Sequence, residues 1–457
     1  MSLARDLSVK FPKHPMAWAV MGAIYRARHE NLLAKPCLER VVEISPSEAT
    51  AHFNLANALR DLGFSVKSAE HYRKALRLNP NLPNGFFNLG NMQHETGQWS
   101  LAEKSFRTAL EQTPDHVECI CNLAVLLQDT GRGEEAMEMY ERAIDLRPTD
   151  VALLCNRVDL LHERWMLKEA EAEARRILTI APDYSPAYMQ LAGILMDAGD
   201  YEASIEASRS AVRVDECNPA ALSSLLFALN YYSAANIDES FALARRYGSV
   251  VSSKVVQVDK QWSGSNSPSS LRVGFISGDL RNHPVGYFLE RVLSHIDPSR
   301  ISLVALKTQM HEDDLTDRLR PSFCEWHSIA LMGDTDAATF IRSLGLHIVV
   351  DLSGHTAGGR LPLMAYRLAP VQASWLGYFA TTGVSEIDYL IADEISLPPE
   401  CESQFTEHIW RLPSTRMCFT APALDIEPSP LPAQTNGYIT LGCTREGLHN
   451  PAATRVM

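Results

Sequence analysis

The 457-residue chain lacks the features that mark secreted and membrane proteins. It has no run of about 18 apolar residues, so no membrane-spanning helix is expected, and residues 1–15 carry no secretory signal. None of the nine cysteines forms a C-x-x-C pair. This favours reduced, buried or incidental thiols over a disulfide framework or a zinc site. We therefore expect a cytoplasmic protein with no membrane partner.

Positive charge is also scarce. The 42 Lys and Arg residues stand against 55 Asp and Glu, and the formal net charge is −13. A protein that binds the phosphate backbone of nucleic acids normally carries a dense basic block, and none is present, so nucleic acid is not an expected partner. The length is sufficient for two or three domains with a large core.

What the sequence does have is a repeat of fixed length. Six prolines recur every 34 residues: Pro12, Pro46, Pro80, Pro114, Pro148 and Pro182. Glycine recurs in the same register near a turn, at Gly63, Gly97, Gly131 and Gly199, and alanine recurs where a second helix must pack, at Ala75, Ala109, Ala143 and Ala211. This period predicts stacked helix–turn–helix units of the tetratricopeptide type. We assign residues 1–250 to this array.

One column of the repeat is polar. Asn54, Asn88, Asn122 and Asn156, the asparagine column, are also 34 residues apart. Repeats stack through small and apolar residues, so the column needs another explanation. A carboxamide offers a donor and an acceptor and therefore suits the main-chain amides of a bound peptide. The alternative is that these asparagines bond within each repeat.

The pattern changes after residue 250. Residues 251–270 are rich in serine and predict a linker or surface loop. Short β-rich runs then alternate with segments of helical period: strands at 271–276, 301–306, 347–352, 371–375 and 389–392, and helices at 334–344 and 360–369. The alternation predicts βαβ units and a parallel sheet, whose ligands bind beyond the carboxyl ends of the strands. We assign residues 271–435 to this lobe and residues 436–457 to the start of another.

Three loops follow the predicted strands at that edge of the sheet. The first ends at His283, immediately before Pro284, a residue suited to the first position of a helix. A histidine there can act as a base toward a hydroxyl or donate to a phosphate, and the alternative is a histidine that only caps or packs the helix. The loops at 351–360 and 377–383 are rich in glycine, which lets backbone amides approach a phosphate or sugar.

Together these stretches resemble one family. The matching segments are LRVGFISGD at 271–279, NHP at 282–284, GHTAG at 354–358, APVQASWLGY at 369–378, TG at 382–383, IDY at 387–389 and RLP at 411–413. With the 34-residue repeats they make almost the whole chain resemble the SPINDLY and O-GlcNAc transferase family of glycosyltransferases. The bacterial and plant members look closer than the animal enzymes.

The resemblance implies an α-α superhelix of tetratricopeptide repeats followed by an α/β Rossmann-like lobe, the first half of a two-lobed GT-B glycosyltransferase. Members of the family invert the sugar configuration and use no metal ion or other cofactor. They move a sugar from a nucleotide diphosphate sugar to Ser or Thr of a protein, which the repeats thread toward the active site. The expected donor is UDP-GlcNAc, with GDP-fucose as the alternative.

The matched motifs also imply site residues. His283 falls on the catalytic or near-catalytic histidine of the family. The loops that bind sugar or acceptor are represented by Asp279, Asn282, Gly354, His355, Thr356, Gly377, Tyr378, Thr381 and Thr382. By the same resemblance, the asparagine column binds the backbone of the acceptor peptide.

The sequence departs from the family near residue 443. The family has a Phe-Asn segment and then a lysine there, whereas this chain reads CTREGLHNP at 443–451. We expect the second lobe, which holds most of the nucleotide site in the family, to be missing. The chain alone is then expected to be inactive, because a nucleotide sugar needs both walls of the crevice. The competing hypothesis is a peptide-binding scaffold without catalysis, or the remnant of an enzyme.

Overall fold

The computed structural model describes residues 8–232, 235–255 and 270–419, with isolated positions at 6, 430, 431, 434 and 437. The chain divides into two compact units, residues 1–182 and 183–457. Within the described stretches, no helix is long and apolar enough to cross a bilayer. Most of the predicted linker at 251–270 and of the segment at 436–457 lies outside the described residues, so the predicted domain limits stay predictions.

The first unit consists of paired helices, as the repeat predicts. Its described helices are α1 (Pro15–Ala27), α2 (Asn31–Ile44), α3 (Ala49–Asp61), α4 (Ser65–Leu78), α5 (Gly85–Glu95), α6 (Trp99–Gln112), α7 (Val117–Asp129), α8 (Gly133–Leu146), α9 (Val151–Glu163) and α10 (Leu167–Ile180). The periodic prolines from Pro46 onward each follow the second helix of a pair, where a residue without an N–H ends the helix cleanly.

The turns within the pairs need a left-handed backbone. The four periodic glycines have φ angles between +71° and +80°, which glycine adopts without strain. His29 and Trp165 occupy the equivalent positions in the first and fifth repeats, each with φ of +59°. These two departures explain why the glycine pattern of the sequence skips two repeats.

The periodic alanines are in the core, as predicted. Ala75, Ala143 and Ala211 have no exposed surface and Ala109 is 7% exposed. A small side chain at these points lets the two helices of a repeat approach closely. Large aromatic rings fill the space beside them, and Tyr72, Phe106 and Tyr140 are fully buried at the same 34-residue spacing.

The second unit begins with four helices and continues into a sheet. The helices are α11 (Ser185–Asp197), α12 (Tyr201–Val214), α13 (Pro219–Leu229) and α14 (Ile237–Ser253). The later helices are α15 (Pro284–Leu293), α16 (Asp314–Leu319) and α17 (Asp334–Ser343). The strands are β1 (Leu271–Ser277), β2 (Ile301–Lys307), β3 (Glu325–Ser328), β4 (Ile348–Asp351), β5 (Val371–Ser374), β6 (Tyr389–Ala392) and β7 (His408–Arg411).

The sheet is parallel throughout, with the order β3-β2-β1-β4-β5-β6-β7. The five strands predicted between residues 271 and 392 are all present. The helix predicted at 360–369 is instead a six-residue 3₁₀ helix, Leu361–Tyr366, and it ends where Arg367 turns left-handed at φ +53°. Two strands were not predicted, β3 and β7. Both are four-residue edge strands, and their exposed side lacks the apolar pattern of a buried strand.

Helices α13 and α14 are packed on the lobe. Leu222, Leu225 and Leu226 of α13 share one buried cluster with sheet and loop residues such as Leu363 and Leu368. This contact explains why the stretch at 225–232 is apolar. Glycine permits the closest approach, because a Cβ at Gly248 of α14 would lie 1.8 Å from a carbonyl oxygen of Gly383.

Candidate active site

The strand order changes direction at β1, which has β2 on one side and β4 on the other. Loops that follow β1 and β4 diverge at such a point and leave a crevice beyond the carboxyl ends of the strands. A cavity of about 400 Å³ occupies this place. Its lining includes Phe227, Asn230, Tyr231, Asp279, Arg281, His283, Val285, Gln309, Thr356, Ala357, Gly377, Tyr378 and Phe379.

His283 caps the N-terminus of α15, with Pro284 at the first helical position as predicted. Its Nδ1 accepts a hydrogen bond of 3.3 Å from the backbone N–H of Val285. Burial lowers the pKa of the imidazole, although the nearby Asp279 carboxylate opposes this. His283 therefore caps the helix, but the cap uses only one ring nitrogen. The side chain still lines the cavity.

Asp279 lies beside this histidine and is 5% exposed at its side chain. Its Oδ2 is 3.7 Å from Nδ1 of His283, and its Oδ1 is 3.8 Å from Nη2 of Arg281. Both distances exceed that of a hydrogen bond. Burial raises the pKa of Asp279, and the neighbouring His283 and Arg281 side chains partly offset the rise.

Asn282 supports the loop and does not line the cavity. Its backbone N–H donates to Oδ2 of Asp313 at 2.7 Å, and its side-chain amide donates to Asp314. Its side-chain oxygen, Oδ1, accepts a hydrogen bond of 3.0 Å from the hydroxyl of Tyr287. These bonds tie the β1–α15 loop to the start of α16 and so fix the position of His283.

His355 is buried, and both of its ring nitrogens are engaged. Nδ1 lies 2.8 Å from the hydroxyl of Ser223 in α13, and Nε2 lies 3.1 Å from the carbonyl oxygen of Thr382. Burial lowers the pKa of this imidazole to about 4. A neutral ring that donates from Nε2 and accepts at Nδ1 satisfies both contacts. The histidine joins α13 to the loop at 382 and lies behind the cavity wall.

Tyr378 forms part of that wall. Its hydroxyl accepts a hydrogen bond of 2.9 Å from Nδ2 of Asn230, and no described acceptor takes its own proton. The two glycines predicted here permit close packing. A Cβ at Gly354 would lie 2.4 Å from the Cβ of Tyr378, and one at Gly377 would lie 2.1 Å from the carbonyl oxygen of Leu352.

Asp351, at the end of β4, holds the neighbouring loop. Its carboxylate accepts from the backbone N–H of Gly354 at 2.7 Å and of Ser353 at 3.3 Å. Burial raises the pKa of Asp351 to about 6. The loop then presents Thr356 to the cavity, with its hydroxyl bonded to the carbonyl of Ser353.

Thr381 and Thr382 bond to Glu407 and do not line the cavity. The hydroxyl of Thr381 donates to Oε2 of Glu407 at 2.7 Å, and the backbone N–H of Thr382 donates to Oε1 at 2.8 Å. Glu407 itself is only 5% exposed. This buried network shapes the turn before Gly383, where α14 makes its close approach.

The asparagine column lies on the first helix of successive pairs in the first unit. Asn54 is exposed, Asn88 is 8% exposed, and Asn122 and Asn156 are half-buried. The last three donate to the preceding repeat: Asn88 to Asn57 at 3.4 Å, Asn122 to Asn91 at 2.8 Å, and Asn156 to Sγ of Cys121 at 3.2 Å. A cleft of about 350 Å³ lies beside Asn91 and Asn122.

Known proteins match both parts of the chain. Residues 222–419 match the family model of glycosyl transferase family 41, and these residues contain most of α13, all of α14 and the whole sheet. Over these residues the chain is similar to glycosyl transferase family 41. Models of the tetratricopeptide repeat match residues 49–82, 71–104, 93–156 and 185–216, which confirms the predicted repeat type.

The relatives include plant and animal proteins. SPINDLY of Petunia hybrida, named a probable UDP-N-acetylglucosamine–peptide N-acetylglucosaminyltransferase, is 34% identical over 223 residues, which are 48% of this chain and 24% of that protein. A UDP-N-acetylglucosamine–peptide N-acetylglucosaminyltransferase of Caenorhabditis elegans is 31% identical over 149 residues, 32% of this chain and 13% of its own. The chain thus matches about a quarter of the length of the plant relative.

A solved structure supports the family 41 fold. A mutant of the O-GlcNAc transferase of Thermobaculum terrenum aligns with a TM-score of 0.52 and 26% identity, over 75% of this chain and 59% of that chain. The predicted fold class, repeats followed by a Rossmann-like lobe of GT-B type, is confirmed by these matches together with the parallel sheet.

Of the residues predicted for the family 41 site, five line the cavity: Asp279, His283, Thr356, Gly377 and Tyr378. The other predicted loop residues surround it as supports. The sequence did not single out Arg281, Gln309, Asn230 or Phe379. Gln309 lies two residues after β2, at the carboxyl edge, so its position was a usable signal. Asn230 directly follows α13, and nothing local in the sequence connects it with the lobe.

Proposed function

We propose that this protein transfers a sugar from a nucleotide diphosphate sugar to the hydroxyl of Ser or Thr in a polypeptide, with inversion and without a metal ion or other cofactor. The supporting observation is the cavity at the change of strand order, which contains His283 and Asp279 within a stretch of family 41. GlcNAc is the first expected sugar because the relatives are named as N-acetylglucosaminyltransferases. Fucose is the alternative.

The cavity offers the groups that such a transfer needs. His283 and Arg281 provide hydrogen-bond donors, Asp279 provides a carboxylate, and the hydroxyl of Tyr378 provides a further donor. Helix α15 begins at this rim, and the partial positive charge of a helix N-terminus favours developing negative charge. His283 is assigned to the active site in this proposal.

The polypeptide acceptor is assigned to the asparagine column. Asn54 is exposed, and the carboxamides of Asn122 and Asn156 each use one donor within the protein. A carboxamide has two donor hydrogens and two acceptor lone pairs. Capacity therefore remains for the backbone of an extended peptide, whatever its sequence.

A cytoplasmic location is part of the proposal. The described cysteines, Cys37, Cys119, Cys121, Cys155, Cys217, Cys324, Cys401 and Cys418, are all free thiols. Free thiols are stable in the reducing cytoplasm.

The test is a transfer assay with radiolabelled UDP-GlcNAc and GDP-fucose and a peptide rich in Ser and Thr. It uses the 457-residue chain alone and the same chain extended by the second lobe of a family 41 relative. We expect the extended form to label the peptide in the presence of EDTA. His283→Ala should reduce turnover about 100-fold or more, whereas the exposed His295→Ala control should not. Absence of label with both donors and both forms would contradict the proposal.

A further inference from the structure

We infer that Asp279, and not His283, accepts the proton of the hydroxyl that enters this cavity, while His283 donates a hydrogen bond there. The inference rests on the proposed function and assigns the two roles within its site. It follows from what each side chain already bonds in the folded chain, and from what each has left to offer a ligand.

His283 is committed at one nitrogen. Nδ1 accepts from the backbone N–H of Val285 at 3.3 Å, so this atom carries no hydrogen while the cap is in place. A neutral imidazole has one N–H, which must then be at Nε2. Nε2 has no partner among the described residues, and the ring lines the cavity. The histidine thus presents a donor to a ligand, and its only basic nitrogen is occupied by the cap.

The carboxylate of Asp279, by contrast, has no hydrogen-bond partner among the described residues. Only 5% of its side-chain surface is exposed, yet no described group lies within hydrogen-bond distance of its carboxylate. The two carboxylate oxygens are not among the described fully buried atoms that lack a partner, so they are open to the cavity. Because Asp279 lines the cavity, a ligand hydroxyl is the partner that would complete it.

The loop holds Asp279 in this position. The backbone N–H of Asp279 donates to Oγ of Ser277 at 2.9 Å, and the carbonyl oxygen of Leu280 accepts from Thr316 at 2.8 Å. A Cβ at Gly286 would lie 2.3 Å from the carbonyl oxygen of Arg281, so the loop lies directly on the first turn of α15. A residue fixed by its backbone loses little freedom when it binds a ligand.

Electrostatics agree with this division of roles. The groups that affect the charge of Asp279 are His283 and Arg281, and burial outweighs both. The pKa of the carboxyl group is raised above its usual value, which makes the carboxylate a better proton acceptor. The pKa of His283 is lowered, so the imidazole is neutral near pH 7.

The proposed step is balanced. The acceptor hydroxyl oxygen forms a bond to the anomeric carbon of the sugar, and the bond from that carbon to the diphosphate oxygen breaks. The electron pair of the broken bond leaves on the nucleotide diphosphate, and the hydroxyl proton moves to an Oδ of Asp279. The Nε2–H of His283 donates to an oxygen of the reacting groups and remains protonated throughout.

The first test is the protonation state of the free protein, measured on the full 457-residue chain labelled with ¹⁵N-histidine and ¹³C-aspartate. The His283 signals are identified by their loss in His283→Asn. At pH 7.5 we expect the Nε2–H tautomer, and we expect the Asp279 carboxyl to titrate above the ordinary aspartate range. In Asp279→Asn the tautomer should persist and the pKa of His283 should fall further, because a negative charge is lost. An Nδ1–H tautomer or an imidazolium at pH 7.5 would overturn the inference.

The second test uses the form that transfers sugar in the assay above. Asp279→Asn keeps the shape but removes the proton acceptor, and should lower kcat about 100-fold or more with KM little changed. His283→Asn keeps a capping oxygen and an N–H donor, and should lower kcat less than about tenfold. The wild-type rate should fall toward low pH as Asp279 becomes protonated, and the residual rate of Asp279→Asn should not.

The outcomes distinguish a wrong assignment of roles to Asp279 and His283 from a wrong proposal of sugar transfer. Transfer that survives in Asp279→Asn, or is lost equally in His283→Asn and His283→Ala, would overturn the assignment of roles but leave the proposed function intact. A protein that transfers no sugar in either form contradicts the proposed function, and the tautomer of His283 then decides this inference. Thermal unfolding of each variant identifies one that has failed to fold, and the wild-type titration remains decisive in that case.

Discussion

The asparagine column combines two functions that substitution can separate. Asn122 donates to Asn91 at 2.8 Å and so joins consecutive repeats, whereas Asn54 is exposed and no such bond is found for it among the described residues. A neutral hydrogen bond contributes about 0.5–1.5 kcal/mol net. Asn122→Ala should therefore lower the free energy of unfolding by about 1 kcal/mol, and Asn54→Ala should leave it unchanged.

Peptide binding should respond differently. Each lost bond to a peptide backbone should weaken binding about two- to tenfold, so Asn54→Ala and Asn122→Ala should both weaken it. Asn91→Ala removes the same bond between repeats and should therefore cost a similar amount of stability. Replacing all four members of the column should weaken binding about tenfold or more.

Two measurements check this account: urea unfolding followed by circular dichroism, and fluorescence anisotropy with a labelled extended peptide rich in Ser and Thr. A double-mutant cycle between Asn91 and Asn122 should show coupling in stability, because the two side chains share one bond. Peptide binding by Asn54→Ala as tight as that of the wild type would contradict this prediction, since the column would then serve only to join repeats.

Further substitutions test the fold itself. Trp165→Gly should be more stable than Trp165→Ala by about 0.5–1 kcal/mol in urea unfolding, because φ is +59° and the ring is 56% exposed. Gly248→Ala should lower the free energy of unfolding by about 3 kcal/mol or expel α14 from the lobe, because its Cβ would meet backbone at 1.8 Å. His52 and His71 have their Nδ1 atoms 3.0 Å apart and pKa values lowered mainly by burial. The unfolded chain therefore binds more protons, so stability should decrease as the pH falls below about 6.5, and His71→Gln should flatten that decrease.

The repeat array could be predicted in detail because its signals are local. Pro46 and Gly63 act through their own backbone, and Ala75 acts through the absence of a large side chain, so a fixed period in the sequence translates directly into helix ends, turns and contacts. The same holds for β1, because nearby residues indicate both the end of this strand and the start of the next helix at Pro284. His29 and Trp165 were not foreseen, because nothing in their neighbourhood shows that a non-glycine residue adopts the left-handed turn.

The candidate site was predictable in its place but less so in its roles. His283 was found because it follows a strand at the carboxyl edge of a parallel sheet, whereas Asp279 was predicted from the resemblance to the family. Whether His355 faces a ligand depends on Ser223, which is 132 residues away, and the placement of Thr382 depends on Glu407, 25 residues away. Partners at such distances are chosen by tertiary packing, and a single sequence does not reveal them. The donor atom that His283 retains was likewise visible only once its bond to Val285 was known.

The most direct test of the account is the identity of the residue that receives the sugar. Mass spectrometry of the peptide after incubation with nucleotide sugar and the extended protein should show one sugar on a Ser or Thr hydroxyl, with nearly all of the signal lost in Asp279→Asn. A peptide that binds the repeats but gains no sugar with UDP-GlcNAc or GDP-fucose would contradict the account and identify the protein as a peptide-binding scaffold.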